Sequence, residues 1–437
     1  MKRFSSLIAS TSLGMGIMLS PESLVALGRS AGALGSGILI AMLGAVLAHQ
    51  GTISGYARGP GEETAQTGDA PVIGQAFGMV FTTAVILCCR VVFAVTLATA
   101  LLATAGFVFN EVFLHWFPNF AFAAGLLGCL LVLNLSSESL ARGLQVALVF
   151  TAVVLLITLS LVGLWGLPYG QVGAAGTPEA PVPWRHAAIP MMALIGFDLA
   201  LFSGNGKQES SVPGRTAMAA SLLGGALTLG LWVWVSTTAV AGARLAESTI
   251  PHMIAARAVG GDWARVLMGV VVLSGSAAAI NALFVAVPRS VLGIMSTASG
   301  SPAPSLKKWG RISTLLILGL LIAGMLALGT AGEPAIDLLV RAGMLFWLVS
   351  YIIVHGAGLW LWLGNRSAPS KRARGAGFWK RVVTMAILGM SLIILMVSDP
   401  DRGALMAFMT LTSAASLLIS WLAWGIVDRR AGLARKQ

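Results

Sequence analysis

STSLGMGIMLSP, residues 10 to 21, is the stretch that decides how this chain is read. It lies inside a long apolar segment, Leu7 to Leu27, yet it carries Ser10, Thr11 and Ser12, then Gly14-Met15-Gly16, then Ser20-Pro21-Glu22. Two glycines, a proline and a carboxylic acid near the centre of a lipid-exposed helix either loosen the backbone or are costly in hydrocarbon. The segment therefore reads as a broken helix. Its freed N–H and C=O groups must find partners, in packed protein or around a cavity that holds a solute. A kinked packing helix is the competing reading, because Gly and Pro are common in membrane spans.

The rest of the chain agrees with a membrane setting. Of its 437 residues 57% are apolar and only 10% are charged, whereas soluble domains carry about 25% charged residues. Apolar runs recur along the whole length with no polar domain between them, so the fold class is an all-α polytopic membrane protein with one transmembrane domain. Cys88, Cys89 and Cys129 fall within apolar segments, where Cys acts as a small hydrophobe, and they suggest neither disulfides nor a metal site. The net charge of +12 reads as topology rather than nucleic-acid binding, since the basic residues cluster in short loops. Lys2-Arg3 before an apolar run also fits a secretory leader, but Gly14, Gly16, Pro21 and Glu22 interrupt that run.

Twelve spans are predicted, near 5–28, 33–56, 76–107, 120–135, 143–167, 188–202, 218–241, 266–295, 312–328, 336–363, 382–397 and 405–427. A turn at Arg29 to Gly32 joins the first two, and Gly37, Gly44, Gly51 and Gly55 are spaced for close packing of the second. The half-apolar stretch Arg244 to Trp263 reads as short helices on the membrane surface. With the N-terminus in the cytoplasm, 20 of the 28 basic residues fall on the cytoplasmic side, so both termini are placed inside and the protein in the cytoplasmic, or inner, membrane.

A second anomaly, Gly196-Phe197-Asp198, interrupts the sixth span, five spans after the first. Two broken spans in corresponding positions of two halves point to a transporter site at the membrane midplane. Residues 1–168 and 169–365 then form two five-helix repeats of inverted orientation, followed by 366–437 with spans 11 and 12 and a basic tail. Half-helix N-termini would attract a carboxylate, and exposed carbonyls would hold an ammonium group or a cation.

These motifs resemble those of the amino acid-polyamine-organocation superfamily, whose members have the leucine-transporter fold. Residues 10–21 are similar to its first-helix G-x-G-I/V signature with a proline beyond. ALIGFDLALFSGNGKQ, residues 193–208, is similar to its sixth helix, with Asp198 where Glu is usual and Lys207 as the basic residue beyond. Asn281 followed by Arg289 in span 8, and Asn134 followed by Gly143 and Gln145, match further elements. The resemblance implies that Gly14, Met15, Gly16 and Ile17 offer backbone groups to the substrate's carboxylate, that Gly196, Phe197 and Asp198 complete the substrate site, with Phe197 as an aromatic gate, and that Asp198 senses protons or gates. One departure is that span 5 has no lysine, which some proton-coupled members place where a sodium ion sits in others.

The residues themselves leave alternatives open. Burial at mid-bilayer favours the neutral form of a carboxylate, which suits Asp198 to proton coupling; capping the broken helix is the other role. Glu22 is a further gate or proton candidate, or sits at an interface with no special role. Arg90, at a cost of about +2.5 to +3.5 kcal/mol for mid-helix insertion, either pairs with Asp198 or Glu22 or binds an anionic substrate. Arg341, at i, i+4 from Asp337, is expected to pair with it. Ser274 and Ser276, with Asn281, form either an ion site for sodium or ordinary packing contacts. The five histidines show no metal-ligand spacing. No cofactor, metal or nucleic-acid partner is expected.

The function expected is secondary transport of an amino acid or related small amine by alternating access, proton-coupled or by exchange. Neutral amino-acid export and sodium symport are the alternatives. A membrane-embedded enzyme would need a His/carboxylate cluster or a Ser–Lys pair at helical spacing, and a sensor would need an output domain; the chain offers neither.

Overall fold

The computed structural model describes residues 2–56, 69–166, 183–203, 214–299, 304–329, 334–364 and 371–434. These residues form helices and turns, with no strand among them. Eleven helical stretches are long and apolar enough to cross a membrane. The twelfth expected span is the first, split into α1 (Lys2–Met15) and α2 (Pro21–Leu34), each too short to cross alone.

The split follows from the residues quoted at the outset. Helix α1 stops at Met15, a turn through Gly16 to Leu19 follows, and Ser20 is extended (φ −67°, ψ 152°) so that Pro21 can open α2 at its first position. Helix α2 ends at Gly35, whose φ of 57° suits glycine. The predicted turn at Arg29 to Gly32 is therefore helical. Arg29 lies on α2 and its Nε donates to the Ser248 carbonyl at 2.8 Å, while the turn falls at Gly35 and Ser36.

Span 2 is α3 (Gly37–Tyr56). Of its four glycines, Gly51 abuts Thr384 and Gly55 abuts His355, whereas Gly37 and Gly44 lie open, so only the second pair serves close packing. Span 3 departs most from expectation. Residues 70–77, assigned to loop or to the start of span 3, form the short helix α4 (Ala70–Phe77), with Ile73 fully buried. Gly78, at φ 83°, turns the chain into α5 (Met79–Ile86). A π-helical turn, Leu87–Val92, then interrupts the span before α6 (Phe93–Val112), and Arg90 sits on that turn.

Spans 4 and 5 are α7 (Asn119–Ser136) and α8 (Glu138–Gly166). Span 6 begins as α9 (Pro183–Ala193), unwinds at Leu194 to Gly196, and resumes as a 3-10 helix, Phe197–Ser203. Lys207 lies outside the described residues. Span 7 is α10 (Gly214–Ala239). The Arg244 to Trp263 stretch holds α11 (Gly242–Glu247) and the opening turns of α12 (Pro251–Ser299), which kinks at Gly260 and Gly261 before span 8. Helix α11 packs against α2, with Leu245 fully buried, so these pieces cover the first span. Spans 9 to 12 are α13 (Pro304–Ala327), α14 (Pro334–Gly364), α15 (Lys371–Val397) and α16 (Arg402–Ala434).

Burial separates centre from rim. The most apolar windows of spans 3 and 8 are 83% buried, against 17% and 22% for spans 11 and 12, so the two C-terminal spans lie at the periphery. Their outward faces carry Ile387, Met390, Ile393, Leu411, Leu418 and Leu422 exposed, as a hydrocarbon solvent requires.

Candidate functional site

The two breaks meet. A Cβ added at Gly196 would lie 3.0 Å from the Ile17 Cβ, and one added at Gly14 would lie 2.9 Å from the Phe197 carbonyl oxygen. Gly196 has φ 96°, a conformation that side chains resist, so the sixth span can unwind there only because the residue is glycine. The Ser23 hydroxyl lies 3.4 Å from both the Ile17 and the Ala193 carbonyls, linking carbonyls at the two breaks. Ile17, Met18 and Phe197 are fully buried at this junction. Span 8 closes it from behind: a Cβ on Gly275 would lie 2.3 Å from the Leu19 carbonyl oxygen.

Beside the breaks is a charged cluster. One nitrogen of Arg90, Nη2, donates to Asp198 Oδ2 at 2.6 Å and to Asp69 Oδ2 at 2.8 Å. Side-chain exposures of 2%, 1% and 8% for Arg90, Asp198 and Asp69 put all three out of reach of bulk solvent. Asp198 Oδ1 also accepts from the Tyr351 hydroxyl at 2.7 Å and from Trp347 Nε1 at 3.1 Å. The Arg90 guanidinium lies 3.9 Å from the centre of the Trp347 ring, a cation–π contact in a desolvated setting. Tyr351 ties the cluster to the break, because the Gly196 amide donates to its oxygen at 3.2 Å. His49 completes the wall, packing on Phe197 and Tyr351 with ring centroids 5.1 and 5.7 Å away, its Nε2 3.1 Å from the Met191 carbonyl.

Two short broken helices packed at the centre of a bundle can be compared with solved structures. No protein-family model and no curated protein matches the chain. Among solved structures it is similar to a manganese transporter of Eremococcus coleocola bound to an aromatic bis-isothiourea compound. That likeness has 14% identity, covers 98% of this chain and 95% of the other, and has a TM-score of 0.58. A single-residue mutant of the same transporter gives 14% identity, the same coverage and a TM-score of 0.57. The fold is leucine-transporter-like.

Within this leucine-transporter-like fold the other expected residues are spread over three places. Gly14, Met15, Gly16, Ile17, Gly196, Phe197 and Asp198 gather at the breaks, with Arg90 beside them. Glu22 is half-buried in the first turn of α2, and the hydrogen bonds and ion pairs of the Arg90 cluster do not include it. Ser274 donates within its own helix to the Val270 and Val271 carbonyls at 2.7 and 3.1 Å, and the buried Ser276 hydroxyl has no partner among the described residues. Asn281 belongs to a separate amide network. It accepts from Asn134 Nδ2 at 2.7 Å and donates to Gln145 Oε1 at 2.8 Å and to the Ala141 carbonyl at 3.0 Å. Gln145 in turn donates to the Ser12 carbonyl at 3.1 Å, fixing α1 to span 5. Nearby, Glu138 pairs with Arg289 at 3.0 Å and with Arg311 at 2.9 Å.

Arg341 is a correction. Its partners are Asp399 at 3.2 Å and Asp401 at 2.6 Å, on the turn between α15 and α16, while Asp337 is exposed. The turn offers two carboxylates to one guanidinium, and Arg185 approaches Asp399 as well at 3.7 Å. Helical spacing identifies a neighbour but not the stronger distant pair. Asp69, Trp347, Tyr351 and Gly275 were missed altogether, and His49 was counted only among histidines without metal-ligand spacing. For Asp69 a signal existed: Asp-Ala-Pro before an apolar run marks a helix start, and Pro71 indeed lies in the first turn of α4.

Proposed function

We propose that this chain is a secondary transporter of an amino acid or related small amine, of the amino acid-polyamine-organocation type. It works by alternating access across the cytoplasmic membrane, with both termini in the cytoplasm, driven by protons or by exchange. The observation that carries the reading is the contact of Gly196 with Ile17, which puts two unwound backbones face to face at the centre of the bundle. Unwound backbone offers amides to a carboxylate and carbonyls to an ammonium group at the same point, which suits a zwitterion. Phe197 and His49 supply an aromatic wall for its side chain.

A divalent ion is the cargo named for the structural neighbours, and the residues here favour it less. A metal such as manganese prefers carboxylate, carbonyl and water oxygens. The side chains at the breaks are Met15, Ile17 and Phe197, the Asp198 carboxylate is tied to Arg90, and no group of three or more His, Cys, Asp or Glu among the described residues is placed to hold a metal.

Uptake of radiolabelled amino acids and amines, and of manganese, into proteoliposomes with a proton gradient, a sodium gradient or neither tests the proposal. Gradient-driven accumulation of at least one amino acid or amine is expected, and its loss in Asp198→Asn with the protein still in the membrane. Absence of uptake or exchange for every organic member would overturn the substrate class. Wild-type accumulation in Asp198→Asn would remove that residue from coupling.

A further inference from the structure

Among the described residues the Arg90 cluster holds one more negative group than positive. Two buried carboxylates converge on a single guanidinium nitrogen, at 2.6 and 2.8 Å, so they are separated only by that nitrogen. Two ionised carboxylates so close, out of water, are disfavoured, and such pairs settle by sharing a proton. We propose that Asp69 is the residue that takes this proton, and that it is the coupling site of the carrier. The proposal rests on the transporter reading and deepens it.

The choice between the two aspartates follows from their hydrogen bonds. Asp198 receives three donors, Arg90 Nη2 on one oxygen and Tyr351 Oη with Trp347 Nε1 on the other. Donors aimed at both oxygens stabilise the carboxylate form. Among the described residues Asp69 receives one, from Arg90. The other polar groups near the cluster do not balance the charge. Tyr56 on α3 is half-buried, with its hydroxyl buried and lacking a partner among the described residues, Cys89 on span 3 is a buried thiol, and His49 spends Nε2 on the Met191 carbonyl.

The location of Asp69 gives the proton something to do. It stands immediately before α4, which packs against α14 and α12 and turns at Gly78 into α5, so the Asp69–Arg90 pair pins this hairpin onto the π-helical turn of span 3. When a proton from water enters the Asp69 carboxylate, the acid is neutral and the ion pair is lost. Arg90 is then held by Asp198 alone, and α4 loses its charged tether. One proton therefore switches the contact between α4 and the cluster that touches the sixth-span break.

Infrared difference spectroscopy of the purified protein across a pH titration tests this without any substrate. The wild type should show one buried protonated-carboxyl absorption that titrates. Asp69→Asn should abolish it, and so should Asp198→Asn, because either change leaves one carboxylate and one guanidinium, a pair that needs no proton. In proteoliposomes, Asp69→Asn should lose gradient-driven accumulation and flatten the pH profile of exchange, and Asp69→Glu should restore the profile. A merely structural role would lower the rate at every pH and leave the profile's shape. Persistence of the absorption in Asp69→Asn, or a wild-type pH profile in that variant, overturns the proposal. If Asp69→Asn does not fold, absence of the absorption in the wild type, or its survival in Asp198→Asn, does the same. If no solute is transported by the wild type while the absorption behaves as expected, it is the substrate reading that fails and not the proton site.

Discussion

Arg90→Gln is expected to be the most damaging single substitution in the bundle. The change removes the one cation that, among the described residues, lies between Asp69 and Asp198, and breaking a buried pair by deleting one partner costs about 3–5 kcal/mol. Native proteins have only about 5–15 kcal/mol to lose, so the variant should melt well below the wild type in detergent. The cation–π contact with Trp347 goes as well. Because the cost comes from stranded carboxylates, adding Asp69→Asn and Asp198→Asn to Arg90→Gln should recover most of the melting temperature, though no transport. A triple variant as unstable as Arg90→Gln alone would mean that packing of the arginine stem, not charge, holds the cluster.

Gly275→Ala is expected to have the largest effect on transport for the smallest change in volume. The added methyl group would lie 2.3 Å from the Leu19 carbonyl oxygen, backbone of the first-span break, which no rotamer change can relieve. Overpacking of this kind costs about 1–3 kcal/mol. Applied to a conformational equilibrium, that is about 5- to 150-fold in the population of the packed state. The exchange rate should fall within that range while total protein in the membrane stays near wild type. The open position Gly389, with nothing near its added Cβ, is the matched control, and Gly389→Ala should exchange like the wild type. Equal rates for both variants would mean that span 8 does not clamp the break.

The sequence disclosed those parts of the site whose signals are local. Gly14-Met15-Gly16 with Pro21, and Gly196-Phe197-Asp198, violate what a continuous span needs, and both places are unwound. The cost of isolated charges in hydrocarbon left Arg90 either pairing with Asp198 or Glu22 or binding an anionic substrate, and a pair with Asp198 is present. What stayed hidden depends on chain reversal or on contact between distant spans. Asp69 lies 21 residues before Arg90 in what reads as a polar loop, and it reaches the arginine only because α4 turns back at Gly78. Trp347 and Tyr351 sit one turn apart in an apolar helix and look like lipid-facing or core aromatics until Asp198 is placed between them. Gly275 is one of 52 glycines, and nothing in its own neighbourhood says that the Leu19 carbonyl approaches it.

The central claim is that the unwound middles of spans 1 and 6 together bind a small organic solute, and equilibrium binding to the purified protein tests it most directly. Radiolabelled neutral amino acids and amines, with unlabelled manganese as a competitor, should be measured on the wild type and on Gly196→Val, whose side chain would press on Ile17 from a backbone at φ 96°. The account predicts saturable binding of at least one amino acid or amine, insensitive to manganese and lost in Gly196→Val. Saturable binding of manganese with none of any organic solute, or undiminished binding by Gly196→Val, would contradict it.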